Sequence, residues 1–347
     1  MADATLIERH SIPAHLLPGL DPEWVKLWND HGRQHVRADE VTLEEYRKDP
    51  AAHTFSHASW TGPAVHHEEE MKIPVTNPDG EVEIRIYSPH GSGPFGVHFN
   101  MHGGGWTLGG LETEAGYCRS VCNKAGVKVV DIDYRLAPEY IFPIAFYDCW
   151  TVIKWVIANA DKINIKSESV SVGGLSAGGT MSAVLSHFAK DEGIMLKLAL
   201  LVVPSVDLRW SIAEEPTKSE VAAKYPSVAL SESFPWGPRS RVDWFMSYWI
   251  PPGIRKEAAT DWRASPILAP NLKGLPRTHI VIAEYDWERD ESSEYAEMLA
   301  KAGVEVTKKL YLGVPHAFGH CNHPEKGLAQ SRLYLEETAS LIKEVHM

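Results

Sequence analysis

The stretch Ser169-Val170-Ser171-Val172-Gly173-Gly174-Leu175-Ser176-Ala177-Gly178-Gly179 contains the pattern on which the fold depends. Its first four residues predict a short strand, and residues 177–190 have the apolar spacing of a helix. A Gly-x-Ser-x-Gly sequence between a strand and a helix is typical of a tight turn that exposes a nucleophilic serine. The pattern therefore predicts Ser176 as a nucleophile. A glycine- and serine-rich turn without chemistry is the alternative.

A second glycine cluster, His102-Gly103-Gly104-Gly105-Trp106, follows a predicted strand over residues 95–101. Glycines let backbone N–H groups approach a bound molecule closely because no side chain intervenes. Such donors stabilise the anion that forms when a serine attacks a carbonyl carbon. Phosphate binding is not favoured, because neither GxxxxGK[ST] nor GxGxxG spacing is present. A plain glycine turn is the other alternative.

A serine nucleophile needs a base, and the base needs a carboxylate that orients it. In proteins with this type of turn the three residues follow in the order Ser, Asp or Glu, His. Asp286 follows a predicted strand over residues 279–283, and His316 follows another over residues 306–312. We therefore predict a triad of Ser176, Asp286 and His316.

Each partner of Ser176 has rivals nearby in the sequence. Glu284, Glu288 and Asp290 flank Asp286, although Asp290 is predicted to lie in the first turn of a helix. His320 and His323 follow His316, and their spacing allows a metal site as an alternative. No cysteine or carboxylate pattern joins these histidines, so we predict no metal.

Strands and helices are predicted to alternate along most of the chain. Residues 82–87 alternate strictly between apolar and polar, as in a half-buried strand, whereas residues 196–203 are almost entirely apolar, as in a strand buried on both faces. Further strands are predicted at 127–132, and further helices at 142–158, 292–302 and 328–344. This alternation indicates a mainly parallel sheet covered by helices on both faces.

Residues 207–263 interrupt this alternation with an insertion rich in aromatic side chains and prolines. Aromatic residues at this density argue against disorder, so we predict a cap. Short amphipathic helices at 21–28 and 43–48 are expected to complete it. The predicted organisation is N-terminal cap helices at 1–60, the first part of the core at 61–206, the cap insertion at 207–263 and the second part of the core at 264–347.

The composition excludes several classes of partner. The 347 residues include 34 Lys or Arg and 46 Asp or Glu, which gives a net charge of −12 and disfavours nucleic acid as a partner. No apolar stretch is long enough to span a membrane, and residues 1–20 lack the pattern of a secretory signal. Four sparse cysteines suggest neither a zinc site nor a disulfide framework. We expect a cytoplasmic protein with packed, reduced thiols.

Together these motifs resemble the hormone-sensitive lipase family of α/β-hydrolase-fold carboxylesterases, which includes arylacetamide deacetylases and the gibberellin receptors. The resemblance covers residues from about 81 to the C-terminus. The matching segments occur in the family's order: His102–Trp106, Asp133–Glu139, Gly174–Gly179, Asp286 within Glu284–Glu291, and His316–Phe318.

The resemblance implies an α/β-hydrolase fold with an eight-stranded, mostly parallel sheet flanked by helices and a helical cap. It implies an oxyanion hole formed by the backbone N–H groups of Gly104, Gly105 and Ala177, and an ion pair between Arg135 and Glu139. The implied activity is hydrolysis of carboxylic esters through an acyl-enzyme intermediate, without a cofactor. A homodimer, formed through a sheet edge or the cap, is a further expectation.

The cap aromatics suggest small to medium, apolar or aromatic ester substrates, although such residues also serve as the cap's own core. Lactone, lactam or aryl-amide hydrolysis by the same triad is the alternative, and a non-catalytic small-molecule receptor on the same fold is a third hypothesis. The residues expected to contact substrate are Trp106, Leu175, Trp244, Tyr248, Trp287 and Phe318.

Two positions depart from the family pattern. Leu175 stands where the family usually has an aspartate before the nucleophile, and Trp287-Glu288 stands where it usually has Pro-Leu after the catalytic aspartate. These departures affect the expected substrate range more than the expected reaction.

Overall fold

A single sheet forms the centre of the molecule in the computed structural model, which describes residues 8–347. Its strands are β1 (His67–Val75), β2 (Gly80–Ser88), β3 (Phe95–Met101), β4 (Lys128–Asp133), β5 (Ile165–Leu175), β6 (Leu196–Val202), β7 (Thr278–Tyr285) and β8 (Val306–Pro315). Their spatial order is β1-β2-β4-β3-β5-β6-β7-β8. Strand β2 is antiparallel to β1 and β4, and all other neighbours are parallel. The predicted fold class is confirmed.

Helices follow most strands, and some belong to the two predicted cap segments. The α-helices are Pro22–Asp30, Leu43–Lys48, Ala115–Val121, Ile144–Ala158, Ala160–Ile163, Ala177–Asp191, Arg209–Ile212, Thr217–Lys224, Pro226–Leu230, Arg239–Trp249, Arg255–Ala258, Arg289–Lys301 and Ala329–His346. None of the helices within residues 8–347 combines the length and the apolar character that a bilayer crossing needs.

The central strands are apolar because helices cover both faces of the sheet. In β6 every residue except Lys197 is buried, as expected for a strand inside a parallel sheet. Strand β1 was not predicted from the sequence. It lies at the edge, and the first half of it, which includes Glu68–Glu70, is largely exposed, so its residues lack the apolar pattern of an interior strand.

The two predicted cap segments pack against each other. Trp236 of the insertion makes edge contacts with Trp24 and Trp28 of the helix Pro22–Asp30, at centroid distances of 5.6 and 6.0 Å. Arg241 also pairs with Asp39 across the two segments at 2.9 Å. Residues far apart in sequence therefore form one aromatic layer over the sheet, as a cap built from both segments requires.

The expected ion pair between Arg135 and Glu139 is wrong. Arg135 instead makes a two-pronged contact with Asp148, at 2.9 Å from Nε to Oδ2 and 2.7 Å from Nη2 to Oδ1. Asp148 lies on the buried face of the helix Ile144–Ala158, whereas Glu139 points outward and pairs with Arg47 at 2.6 Å. Spacing in the sequence favoured Glu139, but the packing of the helix brings Asp148 closer.

The four cysteines, Cys118, Cys122, Cys149 and Cys321, are all buried free thiols, in agreement with the prediction of packed, reduced side chains. Burial raises the pKa of the Cys321 thiol to about 12, so this side chain is a poor nucleophile.

Substitution of Asp148 by alanine should destabilise the protein strongly, because it leaves a buried guanidinium without its partner. The side chains of Arg135 and Asp148 are only 7% and 1% exposed. Breaking such a pair typically costs about 3–5 kcal/mol, which is the expected fall in the free energy of unfolding measured by urea titration.

Glu139→Ala is the matched control, because it breaks a pair whose side chains are 43% and 52% exposed. We expect a change below about 1 kcal/mol. Equal losses for Asp148→Ala and Glu139→Ala would contradict the assignment of Asp148 as the partner that stabilises Arg135.

Candidate active site

All the predicted active-site segments lie at one edge of the sheet. Strands β3, β5, β7 and β8 run parallel, so their carboxyl ends meet at this edge, where α/β proteins bind ligands. The glycine loop follows β3, Ser176 follows β5, Asp286 follows β7 and His316 follows β8. The topology therefore gathers residues that are separated by more than 200 positions in the sequence.

Ser176 occupies the sharp turn between β5 and the helix Ala177–Asp191. Its φ and ψ of 58° and −117° lie in a region that non-glycine residues rarely adopt. Its N–H donates to the carbonyl of Val202 on the neighbouring strand at 2.8 Å, which holds the turn in place. Strain of this kind, held by the surrounding structure, is common at functional sites.

Two glycines allow the helix Ala177–Asp191 to start close to the end of β3. A Cβ atom on Gly174 or on Gly178 would overlap the carbonyl oxygen of Met101 at the end of β3. The obstacle is backbone, which cannot move aside as a flexible side chain would. The Gly-x-Ser-x-Gly spacing thus has a direct steric cause in this structure.

The three predicted triad side chains lie within hydrogen-bond distance of one another. His316 Nε2 is 2.9 Å from Ser176 Oγ, and His316 Nδ1 is 2.8 Å from Asp286 Oδ2. In the tautomer in which Asp286 accepts the Nδ1 proton, Nε2 is free to accept a proton from the serine. Asp286 is only 1% exposed, and its second oxygen accepts the backbone N–H of Glu288 at 3.0 Å.

The glycine loop presents backbone donors beside Ser176. Gly104 and Gly105 have φ values of 125° and 58°, a left-handed conformation that glycine adopts without strain. Within residues 8–347 their N–H groups have no hydrogen-bond acceptor. The N–H of Ala177, at the first position of a helix, also has no partner within that helix. These are the three donors expected for an oxyanion hole.

A buried carboxylate that the sequence did not indicate anchors this loop. Glu114 is 4% exposed and accepts the N–H of Gly103 at 2.9 Å. It also accepts the side-chain amide of Asn100 at 3.2 Å and contacts His320 Nε2 at 3.3 Å. No motif marks Glu114, because its role depends on a contact eleven residues away in the sequence and on the end of β3.

A cavity of about 410 Å³ opens beside Ser176 and extends under the cap. Four of the residues expected to contact substrate line it: Trp106, Leu175, Trp287 and Phe318. The cap adds Trp24, Trp28, Phe55, Trp236, Val242, Phe245 and Met246. The wall is therefore mainly aromatic and aliphatic, with the nucleophile at its base.

Trp244 and Tyr248 are not on the cavity wall, which corrects the expectation that they contact substrate. Both pack against a small cluster of Ala38, Leu43 and Leu108, of which Ala38 and Leu108 line the cavity. Successive residues of a helix point about 100° apart, so the cavity-facing side of Arg239–Trp249 is formed by Phe245 and its neighbours at helical spacing.

Both departures from the family pattern lie at the reaction centre. Leu175 lines the main cavity and also a smaller one of about 270 Å³ next to Glu114 and His320. Trp287 stacks on the imidazole of His316, with ring centroids 4.4 Å apart and planes inclined by 28°. The indole therefore limits the movement of the imidazole ring that faces Ser176.

One group of side chains in the described part of the chain is compact enough to hold a metal ion: Asp286, Glu288 and His316, with ligand atoms within 4.8 Å. A cation there would compete with the hydrogen bonds that join His316 to Asp286. His320 and His323, considered as metal ligands from their spacing, have other contacts. His320 faces Glu114, and His323 Nδ1 accepts the backbone N–H groups of Glu325 and Lys326.

Comparison with known proteins agrees with this architecture. The model of a family described as alpha/beta hydrolase fold matches residues 98–320. The carboxylic ester hydrolase LipN of Mycobacterium tuberculosis is 34% identical over 258 residues, which cover 74% of this chain and 66% of LipN. An arylesterase of Saccharolobus solfataricus is 32% identical over 289 residues, 81% of this chain and 82% of the arylesterase.

A solved structure is similar over almost the whole chain. The hyperthermophilic esterase from the archaeon Pyrobaculum calidifontis superposes with a TM-score of 0.80 at 30% identity, covering 94% of this chain and 98% of the esterase. Sequence motifs, sheet topology and these relatives agree with one another. The chain therefore belongs to the hormone-sensitive lipase family of α/β-hydrolase-fold carboxylesterases.

Proposed function

We propose that this protein is a serine carboxylesterase that hydrolyses small to medium, apolar or aromatic carboxylic esters through an acyl-enzyme intermediate. One observation carries the proposal: the hydroxyl of Ser176 lies 2.9 Å from an imidazole nitrogen whose other nitrogen is held by a buried carboxylate at 2.8 Å. The esterases among the relatives support the same reaction.

In the first half-reaction His316 Nε2 accepts the hydroxyl proton as Ser176 Oγ attacks the acyl carbon. Asp286 keeps the proton on Nδ1 and stabilises the imidazolium that forms. The negative charge that develops on the carbonyl oxygen is met by the N–H groups of Gly104, Gly105 and Ala177. His316 then protonates the leaving alcohol, and the acyl group remains on Ser176.

In the second half-reaction a water molecule takes the place of the alcohol. His316 removes a proton from the water, which attacks the acyl carbon, and the same donors stabilise the second tetrahedral anion. Ser176 leaves with the proton from His316, and the carboxylic acid is released. In both half-reactions His316 Nε2 accepts one proton and then donates it.

The substrate class follows from the shape and chemistry of the cavity. Its volume of about 410 Å³ suits a molecule of modest size, and the aromatic wall favours apolar acyl or alcohol groups. The residues we propose as substrate contacts are Trp106, Leu175, Trp287, Phe318 and Phe245.

Other reactions on this scaffold are less well supported. Lactones, lactams and aryl amides require the same attack by Ser176, but the relatives are named for ester hydrolysis. A non-catalytic receptor would not need the hydrogen bond that joins Ser176 to His316. We keep ester hydrolysis as the proposed reaction.

We also propose a homodimer in a reducing compartment such as the cytoplasm. Support for the dimer comes from β8, an edge strand on which Leu310 and Leu312 are 45% and 57% exposed on the same side. Apolar residues on a free edge favour association with another chain.

The four buried free thiols support the proposed reducing compartment, because thiols remain free where disulfides do not form.

Replacement of Ser176 by alanine should abolish turnover of p-nitrophenyl acetate and butyrate, because it removes the hydroxyl that faces His316 Nε2. The expected loss in kcat is at least about 10⁴-fold, comparable to losses in other serine hydrolases without their nucleophile. Labelling by a fluorophosphonate should disappear in the same variant.

Ser293→Ala is the matched control, since the hydroxyl of this serine donates to the carbonyl of Arg289 within its own helix. It should retain both turnover and labelling. Turnover by a folded Ser176→Ala protein, checked by circular dichroism, would refute the proposed function.

Phe245→Ala should widen the pocket beside the glycine loop and change the preference among ester substrates. The ring lies directly over Gly105 and lines the cavity. Removal of several pocket carbons should raise the ratio of kcat/KM for p-nitrophenyl octanoate over acetate by about 10-fold or more.

Tyr248→Ala removes a large aromatic side chain of the same helix that does not line the cavity and whose ring contacts Trp244 at 5.0 Å. It should leave the octanoate-to-acetate ratio unchanged. The same change of ratio in both variants would show that Phe245 does not limit the substrate pocket directly.

A further inference from the structure

We propose that Glu288 is a reserve positioning residue for His316: its carboxyl group can replace that of Asp286 as the acceptor for the Nδ1 proton. The inference rests on the proposed esterase function and goes beyond it, because it assigns two alternative acids to one base. Glu288 does not contact the reacting atoms and would act only through the imidazole.

The geometry places two carboxyl groups at one imidazole nitrogen. His316 Nδ1 is 2.8 Å from Asp286 Oδ2 and 3.5 Å from Glu288 Oε2. A distance of 3.5 Å is too long for a strong hydrogen bond, so Asp286 is the acceptor in this structure. A decrease of about 0.5 Å in this separation would bring the Glu288 oxygen within hydrogen-bond distance.

Glu288 is held in this position from two sides. One carboxyl oxygen, Oε1, accepts a hydrogen bond from the hydroxyl of Ser205, and the backbone N–H of Glu288 donates to Asp286 Oδ1 at 3.0 Å. The side chain is 3% exposed, so it has little freedom to turn towards solvent. Its orientation towards His316 is therefore built into the loop.

The side chain of Trp287 is a further polar neighbour of the Glu288 carboxyl group, but within residues 8–347 no donor meets the geometry of a hydrogen bond to its other oxygen, Oε2. Buried polar atoms without a partner are rare and costly, so each one requires an explanation. This oxygen is the one that faces His316 Nδ1. A role as an alternative acceptor explains why an unpaired carboxyl oxygen is kept beside the base.

The ionisable groups around Glu288 explain why Asp286, and not Glu288, accepts the Nδ1 proton in the wild-type protein. Three ionisable groups surround it: Asp286 beside it in the loop, Glu291 in the following helix and His316 after β8. Burial, followed by the nearby carboxylates of Asp286 and Glu291, raises the pKa of Glu288 well above its usual range. This shift favours the neutral form of Glu288, which is a weaker acceptor than a carboxylate.

Removal of the charge on Asp286 changes this balance. One of the two neighbouring carboxylates that raise the pKa of Glu288 is then gone, so the pKa falls and Glu288 ionises more readily at a given pH. An ionised carboxylate beside Nδ1 is a strong acceptor for the imidazole proton. Loss of the Asp286 carboxylate therefore makes Glu288 a stronger acceptor for the Nδ1 proton.

The experiment compares Asp286→Asn, Glu288→Gln and the double variant with the wild-type protein, using p-nitrophenyl butyrate. A serine hydrolase whose only orienting acid is replaced by its amide loses about 10⁴-fold in kcat. We expect Asp286→Asn to lose less than about 10²-fold, Glu288→Gln less than about 5-fold, and the double variant the full loss of about 10⁴-fold.

The pH profile provides a readout that a purely structural role would not move. In Asp286→Asn, kcat should rise with pH through a second ionisation, that of Glu288, in addition to the ionisation of His316. Glu288→Gln in the same background should remove this second step. Melting temperatures of all variants show whether a loss of activity reflects unfolding.

If Glu288→Gln does not fold, Glu288→Leu replaces it, because leucine keeps an apolar side chain at this buried position. The inference is overturned if Asp286→Asn loses as much activity as the double variant, or if the pH profile of Asp286→Asn does not depend on residue 288. A wild-type protein that does not hydrolyse esters would instead overturn the proposed function.

Discussion

The contact between the helix that follows Ser176 and the end of strand β3 is the constraint on which the site depends. Only glycine at positions 174 and 178 lets the backbone pass the carbonyl oxygen of Met101 without overlap. This close approach forces Ser176 into its unusual backbone conformation and turns the hydroxyl towards His316. Any widening of this contact would move the Ser176 hydroxyl away from His316.

The parallel part of the sheet brings the other residues of the site to Ser176. Four strands end at the same edge, so the glycine loop and the acid and base need only short loops to reach Ser176. Buried carboxylates then hold the loops. Glu114 bonds to the backbone of the glycine loop, and Asp286 bonds to the imidazole and to the backbone beside it. Charged acceptors form strong hydrogen bonds where water is excluded, so these contacts give rigidity at the point where charge develops.

We propose that the two predicted cap segments determine substrate selectivity, whereas the residues at the end of the sheet carry out the reaction. Its two segments meet through tryptophans and an ion pair, and the cavity lies between this layer and the sheet. Which aromatic residue faces the cavity depends on how the helix Arg239–Trp249 is rotated. This is why Phe245 lies over the glycine loop and lines the cavity, whereas Trp244 does not line it.

The sequence alone predicted the alternation of strands and helices, the tight turn at Ser176 and the glycine loop, and it proposed the order of the triad residues. These features depend on local patterns, because the period of apolar residues and the need for glycine act over a few positions. Tertiary packing decided the partner of Arg135, the anchoring role of Glu114, the edge strand β1 and the proximity of Glu288 to His316. Each of these depends on which side chains the fold brings together, and spacing along the chain does not encode that distance.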